Sequence, residues 1–219
     1  MRCSAIRQAG LLQEVKVARL ADPELAERRR RQIMDAAIGC FRRRGFHQAT
    51  MHEICAEARI SAGALYRYFG SKAEIIGAIA EDKRGEGDTA FLRAAEQKGL
   101  LAALCLSARE FFQKFADGDG ALIADIFAEA IRDDAVALPL RQTDARSVAL
   151  FVKAIKAAQA RREIDATLDP EDAANTLFAG IEGIGLRRAF LRDTDPEAAV
   201  AQFRAFAERY LSPSPERTS

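Results

Sequence analysis

Proline, cysteine and histidine are all scarce in this chain of 219 residues, which holds six, four and two of them respectively. With so little proline, and with no alternating β-branched runs, little interrupts long helices. Cys3, Cys40, Cys55 and Cys105 are widely spaced and form no C-x-x-C pair. That is too few for a disulfide scaffold and the wrong spacing for a zinc clamp, so a reducing, cytoplasmic setting is expected. No run approaches the roughly 18 apolar residues of a membrane helix. The opening stretch MRCSAIRQAGLLQEVKVARLAD has no apolar core, so a secretory signal is not expected. A Gly-rich phosphate loop, a nucleophile elbow and an H-E-x-x-H are also missing, and the only imidazoles are His47 and His52. An enzyme is therefore not expected. His47, His52 and Cys55 stand at i, i+5 and i+8, but Cys55 belongs to an apolar face, so neither a metal nor another cofactor is expected.

What is present is 49% hydrophobic and 30% charged residues, enough to bury a core and stay dissolved. Such a mixture excludes disordered and collagen-like chains. The formal net charge of +1 conceals an asymmetry. Through residue 84 there are sixteen Lys and Arg against ten Asp and Glu, and from residue 85 onward seventeen against twenty-two. A basic amino-terminal third joined to an acidic remainder suggests that one end meets a polyanion and the other does not.

Ala, Leu, Glu, Arg and Lys dominate, and the fold class read from them is all-α. The first helix starts at Asp22-Pro23, Asp as N-cap and Pro in the first turn. It places Ile33, Met34, Ala37, Ile38 and Phe41 on one face and stops at Gly45, behind the cationic turn Arg42-Arg43-Arg44. Thr50 caps a short helix through about Ala58, with Glu53 set for a capping box. Arg59-Ile60-Ser61 is a turn, and Ser61 caps a second short helix from Ala62 to Phe69. Ser71 caps the next, which runs toward Lys83-Arg84. Longer helices follow over Leu100 to Ala116, Ala121 to Arg132 and about Asp144 to Arg162. In the middle one of these, Leu122, Ile123, Ile126, Phe127, Ala130 and Ile131 are expected to point inward. Asp169-Pro170 and Asp195-Pro196 repeat the Asp-cap, Pro-start pattern and open two final helices, to about Leu191 and Leu211. The expected division is an extension over 1–22, a helical head over 23–84, a helical bundle over 85–211 and a polar tail over 212–219.

Two short helices joined by a three-residue turn, the second one basic and aromatic, form a helix-turn-helix. To lie in a major groove, the second helix needs small residues on its exposed face, here Ala62, Gly63 and Ala64. Its flanks need phosphate donors, here Tyr66, Tyr68 and Lys72. Helix N-termini capped by Thr50 and Ser61 add partial positive charge near phosphate oxygens. Leu65 and Phe69 are the buried pair of this segment; Tyr66 and Tyr68 point elsewhere on the helical wheel, which favours contact over packing. A lysine in the first turn opposes the helix dipole, so Lys72 also reads as a phosphate contact. Arg28 to Arg31 and Arg42 to Arg44 read as solvated faces.

The stretch from Arg30 to Ile76, RRQIMDAAIGCFRRRGFHQATMHEICAEARISAGALYRYFGSKAEII, resembles the DNA-binding domain of the TetR/AcrR family of bacterial repressors. The matching elements are Phe41 to Gly45-Phe46, Thr50, Ile54, Ile60-Ser61, Gly63, Leu65-Tyr66, Tyr68-Phe69 and Ser71-Lys72. The resemblance implies an N-terminal three-helix helix-turn-helix DNA-binding domain and a C-terminal helical bundle for ligand binding and dimerisation. It implies phosphate contacts from Thr50, Tyr66, Tyr68 and Lys72, and groove contacts from Ser61, Ala62, Gly63 and Arg67. Ala62 and Ala64 stand where members often carry longer polar residues. Alanine can touch a thymine methyl but cannot hydrogen-bond a base edge, which leaves Arg59 and Arg67 as candidate readers.

One helix-turn-helix gains little affinity alone, so a homodimer on a palindromic double-stranded DNA operator is expected. The last two helices carry apolar stripes: Leu177, Phe178, Ile181, Ile184 and Leu191 on one, Val200, Phe203, Phe206 and Tyr210 on the other. These stripes can build an intramolecular core or, as the resemblance implies, a two-fold four-helix bundle. Phe178, Ile181, Ile184, Phe203, Phe206 and Tyr210 are assigned to that dimer interface. Between Ala73 and Ala160 the helices would enclose a pocket for a small, largely apolar effector. Phe91, Phe111, Phe112, Phe115, Phe127 and Phe151, with Cys105, offer apolar lining; Arg109, Asp125 and Asn175 offer polar orientation. Each aromatic can equally be plain core. The expected function is a ligand-responsive, nucleoid-associated bacterial repressor with no membrane partner. An activator of the same fold, or a helical interaction protein without sequence-specific DNA binding, is the alternative.

Overall fold

A computed structural model describes residues 23–212, of which 83–86 are described by backbone alone. The extension, the Asp22 cap, Cys3 and most of the polar tail lie outside the described residues. Within them the chain forms nine helices and no strand: α1 (Pro23–Arg44), α2 (Met51–Glu57), α3 (Ala62–Tyr66), α4 (Lys72–Lys98), α5 (Leu100–Ala116), α6 (Gly120–Arg132), α7 (Asp134–Ala160), α8 (Pro170–Phe190) and α9 (Pro196–Leu211). No described helix is long and apolar enough to cross a membrane.

Caps set most of the boundaries. The side chains of Thr50, Ser61 and Ser71 accept from the amides of Glu53, Ala64 and Glu74, each satisfying a first-turn donor that has no intrahelical partner. Asp169 and Asp195 do the same ahead of Pro170 and Pro196. The α3 helix is shorter than its pattern suggests. It ends at Tyr66, and Arg67 and Tyr68 turn so that Phe69 enters the core behind Leu65.

Two hydrophobic cores result. Ile33, Phe41, Ile54, Leu65, Phe69 and Ile75 build the head from α1 to α4. Leu104, Phe112, Phe151, Ile155, Leu177 and Phe203 build the bundle from α5, α7, α8 and α9. Cys40 and Cys55 belong to the first and Cys105 to the second, all three free and buried. Burial pushes the Cys40 and Cys105 thiols up, so both behave as small hydrophobes.

Three helices depart from the sequence reading. The α4 helix does not stop near Lys83-Arg84; it continues to Lys98 and ends at Gly99, whose φ is +86°. A change in charge balance at residue 84 does not break a helix, and α4 gives Ile75 and Ile76 to the head and Phe91 and Ala95 to the bundle. The α7 helix starts at Asp134 rather than near Asp144, capped by the Asp133 side chain, and runs through Pro139. The α6 helix buries less than its pattern implies. Leu122, Ile126 and Ala130 pack on the head core, while Phe127 is 38% exposed and Ile131 85% exposed. Its apolar stripe is wider than the surface it packs on.

Pro139 removes one helical hydrogen bond from α7, and its place is set by α4. A Cβ built on the buried Gly77 would lie 2.6 Å from the Pro139 Cβ, so only glycine lets the two helices cross this closely. The neighbouring Thr143 hydroxyl donates to the Pro139 carbonyl at 2.9 Å. Because a proline ring cannot swing aside, Gly77→Ala is expected to cost about 1–3 kcal/mol. Urea unfolding should show this as a lower midpoint with an unchanged slope.

Candidate nucleic-acid interface

The helix-turn-helix is held from inside by Ile54, Cys55, Leu65 and Phe69, all buried. Ile60 in the turn packs partly against the same core. What this leaves outward is a continuous strip: Thr50, Arg59, Ser61, Ala62, Gly63, Tyr66 and Arg67 are all exposed, Tyr66 by 55%. A Cβ on Gly63 would meet nothing within 4 Å. Glycine therefore has no intramolecular cause here, although it costs a helix about 1 kcal/mol relative to alanine. Thr50 is occupied locally: its hydroxyl and amide bond the Glu53 carboxylate, and the Glu53 amide bonds back to Thr50. The Thr50 amide and then its hydroxyl hold the Glu53 carboxyl below its ordinary range.

Charge on this side is mostly paired. Arg42, Arg43 and Arg44 bind Asp119, Glu57 and Glu53 at 2.5, 2.8 and 3.0 Å. In α1, Arg28 and Arg31 pair with Glu24 and Asp82, Arg29 bonds Gln32, and Arg30 lies over the Phe69 ring. Among the described arginines of the head, Arg59 and Arg67 alone make no such contact. Arg59 owes its place to a left-handed backbone, φ +52°, directly after α2.

Two expected phosphate contacts sit differently. Tyr68 is half-buried and packs partly against the head core, because the chain has already left α3 at that point. The Lys72 ammonium donates to the carbonyls of Phe46 and His47 at 2.7 and 2.9 Å and stands 4.9 Å from the Phe46 ring centre. In the free chain those carbonyls offset the unfavourable placement of a cation in the first turn. Burial pulls the Lys72 ammonium below the ordinary lysine range, opposed by the carboxylates of Glu129, Asp125 and Glu53. His47 and His52 are exposed while Cys55 is buried in the core, so the three do not converge.

Asp125, a candidate ligand-orienting residue, instead ties α6 to the head: its carboxylate accepts the Phe46 amide at 2.5 Å. Glu129 lies 3.4 Å from the His47 ring.

A cavity of about 150 Å³ opens into the bundle. Phe91, Phe151 and Phe178 form one wall as a stack, with ring centres 4.7 and 4.3 Å apart. Phe111, Ser107 and Ser147 complete it near the carboxylates of Asp88, Glu110 and Glu182. Of Phe91, Cys105, Arg109, Phe112, Phe127, Phe151 and Asn175, all expected around an effector, only Phe91 and Phe151 line this space. Cys105 and Phe112 are buried in the core beside it. Arg109 is turned outward in an ion pair with Glu197, and Asn175 is exposed, its amide donating to the Glu171 carbonyl. Phe127 lies on α6, outside the bundle core. Phe178, expected in the dimer stripe, faces the cavity instead, since spacing alone does not distinguish the two faces of α8.

The expected dimer stripes are part internal and part surface: Leu191 is 55% exposed. Ile181 and Phe203 are buried in the bundle core, and Phe178, Ile184, Phe206 and Tyr210 pack partly against it. The Phe206 ring lies over Gly180, where a Cβ would meet it at 2.5 Å. What α8 and α9 leave outward is a different face: Ala179, Gly183, Arg187, Ala201 and Ala205, ending in Phe190, which is 76% exposed. At Gly183, as at Gly63, a Cβ would have open space for 4 Å around it.

Residues 33–79 match bacterial regulatory proteins of the tetR family, and residues 106–212 match the carboxyl-terminal part of BetI-type transcriptional repressors. The HTH-type transcriptional regulator UidR of Escherichia coli K12 is 28% identical over 177 residues, which is 81% of this chain and 89% of that protein. HbdR of Aromatoleum sp. strain CIB, also an HTH-type transcriptional regulator, is 42% identical over 57 residues, 26% of this chain and 25% of its own. The solved structure of Salmonella enterica GusR superposes with a TM-score of 0.72 at 30% identity, covering 88% of this chain and 98% of that one.

The Lys72 geometry has a measurable consequence. Lys72→Met should leave two carbonyls without their donor and lower stability by about 1–3 kcal/mol. Chemical denaturation of the free protein, without any nucleic acid, reads this directly.

Proposed function

The chain belongs to the tetR family of bacterial regulatory proteins and is a DNA-binding transcriptional regulator, and from that premise we propose that it is a homodimeric repressor released from a palindromic operator by a small effector. The observation that carries the DNA contact is the unpaired pair Arg59 and Arg67, flanking a short helix whose outward residues are Ala62, Gly63 and Tyr66. Small residues let the helix backbone approach base edges. In this reading Arg67 reads a base edge or a phosphate, and the Tyr66 hydroxyl and the α2 and α3 N-termini meet phosphates. Ser61 and Thr50 serve as caps first, so their hydroxyls orient the amides that face the backbone.

Dimerisation is supported by the outward face of α8 and α9. A glycine inside a helix, with open space before it, is accounted for by close approach of a second copy at Gly183. Likeness of residues 106–212 to BetI-type transcriptional repressors supports repression over activation.

Release works through α4. The bundle cavity, at about 150 Å³, is smaller than the roughly 300–1,000 Å³ of typical ligand sites, so an effector must push its walls apart. One wall is Phe91 on α4, and the same helix holds Ile75 and Ile76 in the head core. An effector that binds the widened bundle shifts the population toward a conformer in which α4 is tilted and the two α3 helices no longer match successive grooves.

Selection of bound duplexes from a random pool should return a palindrome; a pool without dyad symmetry counts against the reading. On the selected site, Arg67→Ala should weaken binding by about 1–3 kcal/mol with the melting temperature unchanged. Tyr66→Phe should lose affinity nearly uniformly across sequences, as a phosphate contact does. Gly183→Arg places a long cation on the outward face of α8, and sedimentation should show monomers where the parent chain gives dimers.

A further inference from the structure

Beside the head core a cavity of about 680 Å³ opens, walled by α1, α4, α6 and α7, with Lys114 of α5 at its edge. Ile38 from α1, Ile79 and Ala80 from α4, Leu122 and Ile123 from α6, and Leu140 from α7 make one side of it aliphatic, while Asp35, Arg42, Lys114, Asp117 and Asp119 make the other side charged. At the rim, the Arg42 guanidinium is held by both oxygens of Asp119 at 2.5 and 2.8 Å. With Asp35, Asp117 and Lys114 also present, three carboxylates face two cations, so the site does not favour an anionic head and the aliphatic side supplies the apolar contact. The space is far larger than the bundle cavity and contains none of the Phe91, Phe151 and Phe178 stack; Lys114, at the edge of both, is the residue they share.

We propose that this cavity is a second small-molecule site, for a compact, uncharged, apolar ligand, distinct from the effector cavity of the bundle. The aliphatic side of the space is open to water, and an apolar molecule of the right size removes that surface from water. Because it touches α1 and α4 together with α6 and α7, it ties these four helices together and holds the head in its present position. The site stands whether or not the bundle cavity takes an effector, since different residues build it.

The full-length chain titrated with N-phenyl-1-naphthylamine, a neutral dye that brightens in apolar surroundings, tests this, and the absence of Trp keeps background emission low. A saturable rise is expected, together with a higher unfolding temperature. Ala80→Trp fills the space from α4 and should weaken the dye at least tenfold and abolish the thermal shift. Ile123→Gln, a milder change on the opposite wall, should weaken it severalfold and covers the case in which the tryptophan variant does not fold. Ser107→Trp, in the bundle cavity, should leave the affinity within twofold. No saturable rise, an affinity indifferent to both Ala80→Trp and Ile123→Gln, or a loss confined to Ser107→Trp overturns the proposal.

Discussion

A single uninterrupted helix, α4, belongs to both hydrophobic cores, and the geometry of the molecule hangs on that sharing. Ile75 and Ile76 are buried in the head, Phe91 and Ala95 in the bundle. At about 1.5 Å per residue, Ile75 and Phe91 are separated by about 24 Å along the axis, so a small tilt at one end is a larger displacement at the other. The helix is pinned between those ends where Gly77 meets Pro139 of α7. Such a contact resists translation of one helix toward the other and leaves rocking about the crossing as the inexpensive motion. Interiors packed this closely favour a few discrete arrangements over continuous deformation.

The second tie between head and bundle is polar and differs in strength. Arg42 with Asp119 and His47 with Glu129 are surface pairs, and such pairs contribute little in water. The hydrogen bond from the Phe46 amide to Asp125 is part-buried and matters more, since losing it would strand a backbone donor beside the desolvated Lys72. All of these carboxylates sit at the start of α6 or along it, and α6 is the helix that leaves Phe127 and Ile131 exposed. A helix with few buried side chains is held in place mainly by its polar contacts, which makes it a good candidate for adjustment rather than for scaffolding.

Functional surface is recognisable in this fold by what the chain does not use internally. Most arginines of the head are matched to a carboxylate, an amide or a ring, and Arg59 and Arg67 are not. The glycines at positions 77 and 180 answer to Pro139 and Phe206, whereas those at 63 and 183 answer to nothing in the chain. A glycine with no intramolecular cause costs a helix stability, whereas an exposed cation without a partner costs little, and both kinds of residue lie on the surface of the chain.

Local chemistry written in the sequence was sufficient for the helical class, for the Thr50, Ser61, Ser71, Asp169 and Asp195 caps, and for the helix-turn-helix itself, because caps and short amphipathic helices depend on residues within one turn of each other. Periodicity could not say which of two apolar faces a helix buries inside its own chain, so Ile181 and Phe203 could be core or interface until packing buried them in the bundle. Nor could the first-turn position of Lys72 disclose that the Phe46 and His47 carbonyls, some 25 residues earlier, would come within reach of its ammonium. The run of α7 through Pro139, the length of α4 and the space beside the head core were decided only when distant helices met. Each is an outcome of packing between surfaces far apart in sequence, where steric fit and desolvation override the preferences of any single segment.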